Sequence, residues 1–131
     1  MVIVDTTVWV DYLNQVSTPQ TDWLDAELER QRLGLTDLIL CEVLQGVRNE
    51  KEAAEVQRDL MKFEVFETGG TALAVAAAQN YRALRAKGVT VRRTIDCLIA
   101  TLCLQHDHAL LHNDSDFDGF EAHMGLRVVR P

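Results

Sequence analysis

Short apolar runs alternate with helix-length stretches along the whole chain, and no other feature restricts the fold as much. Met1–Val4, Leu33–Leu35, Ala109–His112 and Leu126–Val129 have the length and apolar character of strands, and Phe63–Glu67 alternates apolar and charged residues as a half-exposed strand does. The segments between them carry helix spacing and helix caps. Thr6–Leu13 reads as a helix opening directly behind the first run. Ser17, Thr18 and Pro19 supply a cap and a first-turn proline for a helix carrying Trp23, Leu24 and Leu28. Thr36 is placed to cap a helix over Asp37–Val47, and Asn49 with Glu52 is a capping-box-like start for one reaching Lys62. Gly69 and Gly70 precede an Ala-rich helix from Thr71 to Lys87 that Gly88 stops, and Thr94 is placed to cap an apolar helix from Ile95 to Leu104. Strands separated by helices cannot pair as hairpins, so the pattern predicts an α/β domain with a mainly parallel sheet of about four to five strands flanked by helices.

The 131 residues amount to one domain spanning 1–131, with no repeat, linker or low-complexity stretch. The longest apolar run, Ala72–Ala78, is far too short to cross a bilayer, and Asp5 interrupts the apolar start. Neither a membrane span nor secretion is expected. Cys41, Cys97 and Cys103 form no CxxC pair and lie among Leu and Ile, which suits small buried thiols in a reducing cytoplasm. His106, His108, His112 and His123 have no cysteine at ligand spacing, so surface histidines are expected rather than a zinc site.

A net charge of −7 argues against a protein that coats nucleic acid, but the charge is unevenly spread. No acid occurs between Glu67 and Asp96, whereas Arg82, Arg85, Lys87, Arg92 and Arg93 all fall in that gap. Ten of the thirteen basic residues are Arg, whose planar fork grips phosphate at two points. A solvated helix face balanced by acids elsewhere is the alternative reading.

In parallel α/β sheets, ligands bind beyond the carboxyl ends of the strands. Asp5 follows the first strand and Asp114 follows the Ala109–Asn113 run, so two strands deliver carboxylates to one edge. Glu42 is the only charge between Leu38 and Val47, and Asp96 the only one between Arg93 and Asp107, each inside an apolar helix that should pack on the sheet. Taken singly, these acids are also explained as a helix cap, a first-turn acid or a solvent edge. Together, four converging carboxylates raise each other's pKa and oppose folding unless a cation joins them. Oxygen-only ligation selects a hard ion, Mg²⁺ or Mn²⁺. Such an ion activates water and stabilises an oxyanion leaving group, which is the chemistry of phosphodiester hydrolysis. The loop Asn113–Asp118 adds Asp116 and Asp118 as further acids.

Four segments carry a resemblance: Val2–Thr7, Leu40–Gly46 around Glu42, Thr94–Ala100 around Asp96, and Asn113–Phe117. Their order and content resemble PIN-domain ribonucleases, in particular VapC toxins of toxin–antitoxin pairs, over essentially the whole chain. The resemblance implies a Mg²⁺-dependent endoribonuclease, commonly a homodimer, restrained by a VapB-type antitoxin. It implies Asp5, Glu42, Asp96 and Asp114 as the catalytic acids and Asp116, rather than Asp118, as an accessory metal ligand beside Asp5, Asp96 and Asp114. Thr7 stands where the family often has Ser and is expected to orient a water or a phosphate. Ser115, where related toxins often carry a basic residue, departs from the pattern. Arg82, Arg85, Arg92 and Arg93 are the expected RNA track.

Other classes predict different residues. A receiver-like phosphoacceptor domain usually pairs adjacent acids after its first strand and has a late Lys, but here Thr6 follows Asp5 and no Lys lies beyond Lys87. An Asp-x-Asp phosphatase requires an acid where Thr7 stands. A non-catalytic PIN-fold interaction module differs only in lacking turnover.

Overall fold

The computed structural model describes residues 1–131 as four strands and seven α-helices. In chain order these are β1 (Val2–Val4), α1 (Thr6–Leu13), α2 (Pro19–Glu27), β2 (Leu33–Thr36), α3 (Asp37–Gln45), α4 (Glu50–Leu60), β3 (Glu64–Phe66), α5 (Thr71–Ala86), α6 (Thr94–His106), β4 (Ala109–Leu111) and α7 (Asp118–Met124). The sheet order is β3-β2-β1-β4 and every pairing is parallel. All three residues of β1 and all four of β2 are buried, as expected of a parallel sheet covered on both faces. Ile3, Val4, Leu35, Leu110 and Leu111 are fully enclosed there, and Trp9 extends the core by packing on Phe63 with ring centroids 5.2 Å apart. Gly34 is required by close approach. A Cβ on it would stand 2.8 Å from Met1 Sδ and 3.0 Å from the Glu64 carbonyl oxygen. No helix is long and apolar enough to cross a membrane.

The predicted caps at Thr18, Thr36 and Asn49 all form, with the Asn49 side chain accepting the Glu52 N–H at 2.8 Å. Four expectations are corrected. Leu126–Val129 is not a strand: only Leu110 and Val128 form a bridge, because the segment emerges from the left-handed Gly125 turn and touches β4 through two backbone hydrogen bonds. Thr94 is the first residue of α6 rather than its cap; Arg93 holds the cap position with no side-chain hydrogen bond. Cys97 and Cys103 are buried, but Cys41 is exposed, because α3 buries Ile39 and Val43 and residue 41 points to the opposite face. His106 and His123 are on the surface, whereas His108 and His112 are half-buried. The short helix α7 was not anticipated.

Candidate active site

The register of β1 and β4 pairs Val4 with Leu111, so the residues that follow each strand leave the sheet side by side. The Asp5 N–H donates to the Leu111 carbonyl at 2.9 Å, which fixes Asp5 at this edge. Helix α6 returns through a short turn to the start of β4 and therefore begins at the same edge, bringing Asp96 in its first turn under the cleft. Helix α3 starts just beyond β2 and carries Glu42 to the cleft from the other side. The resulting cleft of about 330 Å³ is lined by Asp5, Thr6, Thr7, Glu42, Arg93, Asp96, Asn113 and Asp114, together with Val10 and Asp11.

Hydrogen bonds order this edge. The Thr7 hydroxyl donates to Asp5 Oδ2 at 2.7 Å and the Thr7 N–H to the same oxygen at 3.2 Å, so Asp5 both caps α1 and lines the cleft. Thr7 Oγ1 also accepts the Asn113 N–H at 3.1 Å, tying the loop after β4 to the loop after β1. The Thr6 hydroxyl donates to Glu42 Oε1 at 2.7 Å. On the far side, Arg92 Nε donates to Asp116 Oδ1 at 3.0 Å, and its Nη2 lies 3.8 Å from Asp114 Oδ1. The Asp116 N–H donates to Asp114 Oδ1 at 2.9 Å, and the Asp114 N–H to His112 Nδ1 at 3.1 Å.

The acids are strongly desolvated. Asp5 is 2% exposed, Asp96 4% and Asp116 6%. Burial pushes the Asp5 carboxyl up to about 6, against the lowering effect of the Thr7 hydrogen bonds. Burial, the Asp116 carboxyl against it and the charges of Asp5 and Asp114 raise Asp96. Burial acts in the same sense on Asp116, but the Arg92 guanidinium that donates to it, with the Asp96 carboxyl beside it, overcomes this and holds that carboxyl below its ordinary value. Asp96 Oδ2 and Asp116 Oδ2 are both buried without a hydrogen-bond partner, so a shared proton or a cation is needed there. One oxygen each from Asp96, Asp114 and Asp116 lies within 4.8 Å of the others, an oxygen-only donor set that fits a hard divalent ion.

The geometry thus brings together Asp5, Thr7, Glu42, Asp96, Asp114 and Asp116, with Asp116 buried and Asp118 exposed. It divides the basic segment. Arg93 lines the cleft, Arg92 is engaged with Asp116 and Asp114, Arg82 lines an apolar groove between α5 and α6, and Arg85 lies over the Tyr81 ring. Arg92, expected on the RNA track, is in the structure a counter-ion of the acid cluster. Sequence reading missed Thr6, Asn113 and His112. The Thr6-Thr7 pair behind Asp5 was the available signal for the first, and no local pattern marked the other two.

The PIN domain family profile matches residues 2–122, and the chain belongs to that family. Over 121 residues it is 31% identical to a VapC ribonuclease of Mycobacterium bovis and to ribonuclease VapC11 of Mycobacterium tuberculosis, covering 90% of this chain and 90% of each relative. The fold is shared with FitAcB from Neisseria gonorrhoeae, at a TM-score of 0.76 and 20% identity over 100% of this chain and 98% of that one. It is shared equally with VapBC2 from Rickettsia felis bound to a promoter DNA fragment, at a TM-score of 0.74 and 19% identity over 98% of both chains. The resemblance read from the four acidic motifs is borne out, and a receiver-like domain is set aside.

Proposed function

We propose that this protein is a metal-dependent endoribonuclease that acts as the VapC-type toxin of a type II toxin–antitoxin pair and is restrained by a VapB-type antitoxin. The observation that carries the reading is the convergence of five acids on one sheet edge, with buried carboxylate oxygens that have no partner, in a PIN-family chain whose relatives are named ribonucleases. Asp96, Asp114 and Asp116, with Asp5 beside them, would hold Mg²⁺, or Mn²⁺ in its place. When bound, such an ion supplies Lewis acidity that activates water and offsets charge on the phosphodiester.

The remaining work falls to the chain's own side chains. Thr7 orients Asp5 and ties the Asn113 loop to it. Glu42, anchored through Oε1 by Thr6, is placed to accept a proton from attacking water through its other oxygen. Arg93 attracts the RNA backbone to a cleft that its acids alone would repel, with Arg82 and Arg85 extending the track. The test is RNA cleavage in Mg²⁺ by the purified protein and by folded Asp96→Asn, with the cut ends sequenced from total RNA. Loss of on the order of 10²-fold or more in rate is expected. A folded Asp96→Asn protein that cuts at the parent rate would overturn the assignment.

A further inference from the structure

We propose that His112 is a positioning residue for the reaction: its ring Nδ1 holds the Asp114 main chain so that the carboxylates of Asp114 and Asp116 face the same metal. The proposal rests on the metal-dependent reading above. Beyond Leu111 the chain leaves the sheet, and the N–H groups that follow lose their strand partners. Each of three finds a side chain instead. Asn113 donates to Thr7, Asp114 to His112 Nδ1 at 3.1 Å, and Asp116 to Asp114 Oδ1 at 2.9 Å.

The His112 bond closes a ring between residue i and residue i+2, as Asx and Ser/Thr turns do, but with a stiff imidazole. That ring is itself braced against the fully buried Phe117, with centroids 4.9 Å apart and planes at 51°. Asp114 Oδ1 accepts the Asp116 N–H, so a tilt of the Asp114 backbone moves both acids. Nδ1 can accept only through its lone pair, which places the proton of the neutral ring on Nε2. Thr7 fixes the loop from the β1 side and His112 from within, so neither substitutes for the other.

The experiment has two arms. In chelator at about pH 8, where an ordinary imidazole is neutral, ¹⁵N NMR of the intact protein should show His112 with Nδ1 unprotonated and Nε2 protonated. An Nδ1–H tautomer overturns the proposal. In the second arm Mn²⁺ is titrated calorimetrically into the parent, His112→Phe, His112→Asn and the double variant Asp5→Asn, Asp96→Asn. His112→Phe keeps a ring against Phe117 and removes the acceptor, whereas His112→Asn returns an acceptor oxygen near the Nδ1 position. Groups that orient metal ligands typically set affinity by about 10- to 100-fold, so His112→Phe should weaken Mn²⁺ by about tenfold or more and His112→Asn should recover most of it. Melting in chelator shows which variants fold, and should His112→Phe fail, His112→Asn and the tautomer still decide. Parent-like Mn²⁺ binding by folded His112→Phe, or tenfold loss in folded His112→Asn, overturns the role of His112. Parent-like binding by the double variant instead removes the metal reading on which the proposal stands.

Discussion

Asp5→Asn should make the metal-free protein relatively more stable as pH rises. The substitution keeps an oxygen to accept the Thr7 hydrogen bonds and removes only the charge. Burial holds the Asp5 carboxyl at about 6, against an ordinary value of 3.8. With its folded pKa raised, the native state keeps a proton that the unfolded chain releases between those values. Stability from this group is therefore complete below 3.8, falls through the window, and is flat above about 6. A gap of about two units corresponds to about 3 kcal/mol. Unfolding entropy for a chain of this length is about 0.3 kcal/mol per kelvin, so the loss is about 10 °C in Tm. Thermal unfolding in chelator should show the difference between variant and parent growing by about that amount from pH 4 to pH 7, in the variant's favour. Any fixed cost of burying an amide shifts the variant's curve vertically without changing this slope, and removing the Asp5 charge also relieves the buried Asp96, which moves the difference further in the variant's favour. Saturating Mg²⁺ should then raise the parent more than the variant, which keeps Asp96, Asp114 and Asp116 but lacks the Asp5 charge beside them. Parallel curves in chelator across the whole range would show that Asp5 is not a destabilised buried carboxylate.

Arg92→Gln should raise the Asp116 carboxyl from its lowered value, because the guanidinium that hydrogen-bonds it is gone; a carbon-detected NMR titration reads this, and an unmoved carboxyl removes Arg92 as the cause. Gly34→Ala should destabilise by about 1–3 kcal/mol in denaturant unfolding, since its Cβ has no room against Met1 Sδ and the Glu64 carbonyl; a neutral result would mean β2 and β3 can separate freely. For RNA binding in an Asp96→Asn background without metal, Arg93→Gln should flatten the slope of log affinity against log salt by about 0.7, the value of one single-strand phosphate contact. An unchanged slope would exclude Arg93 from the track.

What could be read from the sequence follows from which contacts are local. A carboxylate directly behind a strand is placed by the strand, so Asp5 and Asp114 were legible once the sheet was taken as parallel, and the Val4–Leu111 register joins them. Asp96 was legible because one acid in an apolar helix has few places to go. Helix α7 was missed because it has seven residues and contains Gly119, and it is stabilised by tertiary packing. Phe117 and Phe120 are fully buried around it, and Gly119 stands close under Val89. The Thr6–Glu42 bond spans 36 residues and leaves no local trace.

Arg92 shows the limit of charge counting most clearly. In sequence it belongs to a block of five cations free of acids, which reads as an RNA track. In space its partners are Asp116 and Asp114, more than twenty residues further on. A guanidinium there does for the metal-free cluster part of what a divalent ion would do, by offsetting the negative potential around carboxylates that burial has stripped of water. The charge left unpaired is therefore smaller than the block suggests. Arg93, one residue further along the chain, lines the opening of the cleft instead of pairing across it.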